Sequence, residues 1–80
     1  MKWYVKLLKK EDANIFIAYS YEKNSSCDGV LRYDKKKEDI SIEKMSDGAS
    51  KTATEMVFGN IHVLLEKNEI TENRKCICIG

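Results

Sequence analysis

The sequence predicts an α+β fold, a mainly antiparallel sheet with one helix packed on one face, and three observations point there. Apolar and polar side chains alternate with period two over most of residues 3–45. The period changes to 3.6 after Ser46-Asp47-Gly48, and a short apolar strand pattern returns at Arg74–Ile79. The implied order is a β-meander of four strands, an amphipathic helix and a C-terminal strand, ββββαβ, in one domain over residues 1–80. A chain of 80 residues has room for a single core, and at this size folding buries only roughly 60% of the unfolded surface.

The first strand pattern, Trp3–Leu8, alternates Trp3, Val5 and Leu7 with Tyr4 and Leu8, and Lys9-Lys10-Glu11-Asp12 closes it. Asn14–Tyr21 carries the strongest strand signal. Ile15, Ile17, Tyr19 and Tyr21 share one face, and Phe16, Ala18, Ser20 and Glu22 the other. Residues 23–29, Lys-Asn-Ser-Ser-Cys-Asp-Gly, are dense in turn formers. Val30–Asp34 is the third strand, Lys35–Glu38 the next turn, and Asp39–Met45 the fourth strand, with Ile40 and Ile42 opposite Ser41 and Glu43. The chain has no proline, so its turns rest on Gly, Asn, Asp and Ser.

A helix is predicted near Thr52–Lys67. Thr52 and Glu55 match a capping box, and Ser50 is an alternative cap. At 100° per residue Ala53, Val57, Ile61 and Leu64 form one stripe, flanked by Met56, Phe58 and Leu65, with Glu55, His62 and Glu66 opposite. Asn68 suits a left-handed stop, and Ile70 can fold back on the last turn. The helix can return the chain so that the last strand lies antiparallel at the first strand's free edge, giving order 5-1-2-3-4. One helix covers one face. Ile15, Ile17, Ile40 and Ile42 are expected beneath it, leaving Tyr4, Leu8, Phe16, Ala18 and Val30 as a candidate self-association face.

Charge is balanced at 14 basic to 13 acidic residues, which argues against a dedicated polyanion binder. Residues 1–37 carry nine basic and five acidic groups, net +4; residues 38–80 carry five and eight, net −3. A secondary reading is a weak single-stranded nucleic-acid contact through Lys6, Lys9, Lys10, Arg32, Tyr33, Lys35, Lys36 and Lys37, with tyrosines interleaved among lysines. The acidic residues Glu11, Asp12, Glu22, Asp28 and Asp34 dilute that field.

Cys27, Cys76, Cys78 and His62 could formally ligate zinc, yet Cys-x-Cys inside an apolar strand lacks the knuckle spacing of a structural site, and His62 is expected away from the core stripe. Cys76 and Cys78 are expected as packed, reduced thiols, and Cys27 as an exposed loop residue. His62 and Glu66 are spaced for a surface ion pair. No nucleophile elbow, phosphate loop or His-Glu-x-x-His occurs, so no catalytic, metal or cofactor residue is assigned. The odd cysteine count and the absence of an export signal or spanning segment point to a reducing cytoplasm. The function expected from these features is a small non-catalytic interaction module that forms a homodimer through the open sheet face.

Overall fold

In the computed structural model, which describes residues 1–79, five antiparallel strands form one sheet in the order β4-β3-β2-β1-β5. They are β1 (Lys2–Glu11), β2 (Asn14–Tyr21), β3 (Gly29–Asp34), β4 (Asp39–Lys44) and β5 (Lys75–Cys78). Between β4 and β5 the chain forms a bent helix, α1 (Lys51–Glu55) and α2 (Phe58–Glu66). The strand order is the predicted one. The α+β architecture holds, with β5 antiparallel to β1 through the pairs Trp3 with Ile77 and Tyr4 with Cys76.

The first strand runs longer than its apolar stretch, because Lys9, Lys10 and Glu11 pair with Phe16, Ile15 and Asn14. Asp12 and Ala13 alone make the turn, and Asp12 takes a left-handed backbone (φ 53°). The register slips between Leu7 and Lys9, so Leu8 stands in a bulge and Lys9 joins Phe16 on the even-numbered face. Glycines are scarce, and Glu22, Cys27 and Glu38 take the left-handed region (φ 57°, 53° and 52°), a conformation that Asn or Gly usually supplies. Gly29 is needed for space rather than for φ, since a Cβ there would strike the Tyr19 ring.

Ser50, not Thr52, caps the helix: its side chain accepts from the Ala53 amide at 3.1 Å. The Thr52–Glu55 capping box does not form, because the helix begins one residue earlier and Thr52 lies within its first turn. The helix bends at Met56–Val57, where the Met56 and Val57 amides donate to Ala53 and Thr54 at 3.2 Å in tighter turns. That break swings Met56 outward, 54% exposed, off the stripe expected to flank the core. Asn68 ends the helix at φ 56°; its amide donates to Leu65 (3.1 Å) and that of Glu69 to Leu64 (2.9 Å), a Schellman closure. Ile70 then folds into the core.

The core lies between the helix and the odd-numbered face of the sheet. Trp3, Val5, Ile17, Tyr19, Leu31, Val57 and Ile61 are fully enclosed, with Ile15, Tyr33, Ile70 and Ile77 nearly so. Ile40 and Ile42 pack against this cluster, half-buried. Trp3 stacks against Tyr21 at 4.3 Å between ring centroids, and its buried Nε1 has no hydrogen-bond partner. The Tyr19 hydroxyl ties the sheet to the helix entry, accepting from the Ser46 amide at 3.1 Å and lying 3.3 Å from Thr54 Oγ1. No helix among the described residues is long and apolar enough to cross a membrane.

Candidate functional site

The strand registers set out the helix-free face row by row. From one end to the other the rows are Cys78 and Lys2; Cys76, Tyr4 and Ser20; Lys6, Ala18, Val30 and Lys44; then Lys9, Phe16, Arg32 and Ser41; and last Glu11, Asn14, Asp34 and Asp39. Of the candidate self-association residues, the sheet therefore brings Tyr4, Phe16, Ala18 and Val30 together. Leu8 is 49% exposed in its bulge, outside the regular rows. Ala18 is 3% exposed, so it forms the floor between larger neighbours, while Tyr4, Phe16 and Val30 remain half-buried.

Cations lie over both aromatic rings. Lys9 Nζ is 4.9 Å from the Phe16 centroid, and the Arg74 guanidinium 5.1 Å from that of Tyr4. Arg74 also donates to the Ser25 carbonyl at 3.0 Å, which ties the β2–β3 loop to the approach of β5. Arg32 Nε faces Glu43 at 3.1 Å but misses the alignment of a hydrogen bond. The face is basic over its first three rows; Glu43 then meets Arg32, Glu11 pairs with Lys9 at 2.7 Å, and the remaining carboxylates lie in the last row.

The residues of the nucleic-acid reading do not converge. Lys6, Lys9 and Arg32 share the open face. Lys35, Lys36 and Lys37 sit in the β3–β4 turn, where Asp34 accepts from the Lys36 and Lys37 amides. Lys10 pairs with Ile15 near the β1–β2 turn. Tyr33 is 7% exposed beneath the helix, because its odd parity turns it inward, so it leaves that set.

The thiols also differ from expectation. Cys76 and Cys78 are both exposed rather than packed, since Ile77 between them is the residue that points into the core. Their sulfurs are 3.8 Å apart, well beyond a disulfide bond. Desolvation and the Cys78 thiol push the Cys76 pKa upward. Cys27 is half-buried, its amide bound to Ser20 Oγ at 3.1 Å.

A second constellation lies on the helix side. His62 packs its ring against Tyr33, 5.6 Å between centroids, and Nε2 stands 3.4 Å from Glu66 Oε1. Glu38 comes from the β3–β4 turn, and one ligand atom from each of Glu38, His62 and Glu66 lies within 4.8 Å of the others. His62 Nε2 is shielded from solvent and makes no hydrogen bond: the Glu66 contact meets the distance of an ion pair but not its alignment. Burial, and after it the charges of Glu38, Glu66 and Asp34, raise the Tyr33 pKa. Spacing along the helix gave the His62–Glu66 pair; Glu38 is 24 residues upstream, and only the fold brings it in.

Asp28 holds the third polar cluster. Its carboxylate accepts from Ser46 Oγ, Asn24 Nδ2 (3.1 Å) and the Asp47 amide (3.2 Å), joining the β2–β3 loop to the segment that leads into the helix. The Ser46 hydrogen bond, against partial desolvation, holds its pKa below the usual carboxylate value. No family model matches the chain, and no curated protein or solved structure shows significant similarity to it.

Proposed function

We propose that the protein is a small non-catalytic protein–protein interaction module that self-associates as a homodimer through the helix-free face of its sheet. The observation that carries this reading is the grouping of Tyr4, Phe16, Ala18 and Val30 on a face that no helix covers. At the ends of the face charge is complementary. A two-fold axis running across the strands at the Ala18 row would set the Lys2 row of one copy over the Glu11, Asp34 and Asp39 row of the other, with Phe16 one row from the axis. Three free cysteines, two of them exposed, suit a reducing cytoplasm.

Sedimentation at tens of micromolar should give a dimer mass, and Phe16→Glu should return the monomer. The half-buried Phe16 position tolerates a carboxylate in the free chain, but a dimer contact would enclose that charge. A monomer at that concentration sinks the reading, and a dimer indifferent to Phe16→Glu puts the interface elsewhere.

The cations over Tyr4 and Phe16 favour one second reading, a single-stranded nucleic acid laid on the same face. Salt separates the two. Binding of a labelled oligonucleotide would weaken steeply with added salt through counterion release, whereas apolar self-association would persist.

A further inference from the structure

We propose that Glu38, His62 and Glu66 form a binding site for one divalent transition-metal ion of the zinc class, where the β3–β4 turn meets α2. This site lies on the helix side of the sheet and does not depend on the dimer.

Geometry carries the proposal first. His62 and Glu66 are four residues apart on α2 and so share a face, while Glu38 approaches from a separate element. Their ligand atoms already lie within 4.8 Å of one another. Metal–ligand distances of about 2.0–2.2 Å separate neighbouring ligands by roughly 3.3 Å at a tetrahedral angle, so small side-chain rotations close the shell.

The second observation is the orphaned nitrogen. His62 Nε2 is shielded from solvent without a hydrogen-bond partner, although Glu66 Oε1 stands 3.4 Å from it and the side chain is otherwise 32% exposed. Buried polar atoms are rarely left so. An ion bound through the Nε2 lone pair would satisfy that nitrogen and neutralise the carboxylates together. Tyr33 holds the imidazole plane from the core side.

The donor set selects the metal. One imidazole and two carboxylates suit Zn²⁺, Co²⁺, Ni²⁺ or Mn²⁺; Ca²⁺ needs more oxygens, and a monovalent soft ion would prefer the thiols of Cys76 and Cys78. A hollow of about 270 Å³ beside His62, bordered by Asp39, Phe58 and Gly59, leaves room for a water in the remaining position.

Because the exposed thiol pair would compete for the ion, the test uses the full chain carrying Cys76→Ser and Cys78→Ser. Co²⁺ is titrated by calorimetry and visible absorption, with imidazole resonances followed by NMR during a parallel Zn²⁺ titration. The expected result is one ion per chain, a spectrum of oxygen and nitrogen ligation, and a shift of the His62 ring signals. His62→Gln, Glu38→Gln and Glu66→Gln should each weaken binding by at least about tenfold, while Asp47→Asn leaves it unchanged. Glu38 and Glu66 are exposed, so those two variants keep the test intact even if His62→Gln fails to fold. Absence of saturable binding, or binding unaffected by Glu38→Gln and Glu66→Gln, would overturn the site.

Discussion

Along β2, Ile15, Ile17 and Tyr19 are 6%, 0% and 0% exposed beneath the helix, whereas Phe16, one residue away from two of them, stands half-buried with a lysine over its ring. Phe16 is as apolar as Ile15 and Ile17 beside it, although Asn14 and Ser20 make its side of the strand the more polar one. What differs is the layer above: α1 and α2 cover the odd face, whereas the even one has no helix, only long cationic side chains over its rings and the β2–β3 loop beside Ser20. Propensity made the strand, and the single helix decided which half of it became core. The covered face should therefore carry stability, and the open face association.

The largest expected effect tests that division directly. Ile17→Ala removes a fully enclosed side chain and should cost about 3 kcal/mol, the middle of the range for such truncations. In a domain of this size that lowers the melting temperature by more than about 10 °C. Phe16→Ala on the neighbouring position should cost about 1 kcal/mol in the monomer, since part of its surface is already in water. Urea melts at a concentration that keeps the chain monomeric compare them. Equal losses would mean that the open face is as much a core as the covered one.

The covered face was the legible part of the fold. Ile15, Ile17, Ile40 and Ile42 announce a period of two, Ala53, Val57 and Ile61 a period of 3.6, and short connections leave little freedom in strand order. Asn68 was readable because a helix stop needs a left-handed residue. Features fixed by tertiary fit were not readable. Lys9–Glu11 look like loop residues by polarity, yet they complete a hairpin because Asn14–Phe16 need partners. Two cap candidates, Ser50 and Thr52, have the same chemistry, and the position of the helix over the sheet chose between them. Cys76 and Cys78 read as apolar, but their parity puts them on the uncovered side. Of the candidate face, Tyr4, Phe16, Ala18 and Val30 followed from parity, whereas Leu8 left the rows through a bulge that no local pattern signals. Glu38 joined His62 only through the fold.

A smaller effect sharpens the account of how the covering layer is attached. Apolar contacts hold the helix down, but Asp28 fixes the segment that leads to it. A depressed folded pKa means that the carboxylate's contribution is present above the unfolded range near about 3.9 and is lost as pH falls through the folded value. Asp28→Asn should lower the melting temperature modestly at pH 7, and the gap to the parent should narrow as the pH falls below the unfolded range near about 3.9. A gap that stays constant across that range would assign the effect of Asp28 to shape rather than charge.

The smallest expected effect concerns β5, where the two faces differ within three residues. Ile77 is 7% exposed and reaches the core, while Cys76 and Cys78 on either side of it face solvent with their sulfurs 3.8 Å apart. Serine nearly matches cysteine in size and replaces a weak S–H donor with a stronger O–H, so an exposed site should hardly register the exchange. Cys76→Ser, Cys78→Ser and the double variant should each stay within about 0.5 kcal/mol of the parent, whereas Ile77→Ala should cost about 2 kcal/mol or more. Denaturant midpoints under reducing conditions, read in the monomer, give all four numbers. A cost above about 1 kcal/mol for either serine variant would show that the outer side of β5 carries packing of its own, since exposed substitutions rarely reach that size. The division between a covered, stabilising face and an open one would then fail at this edge.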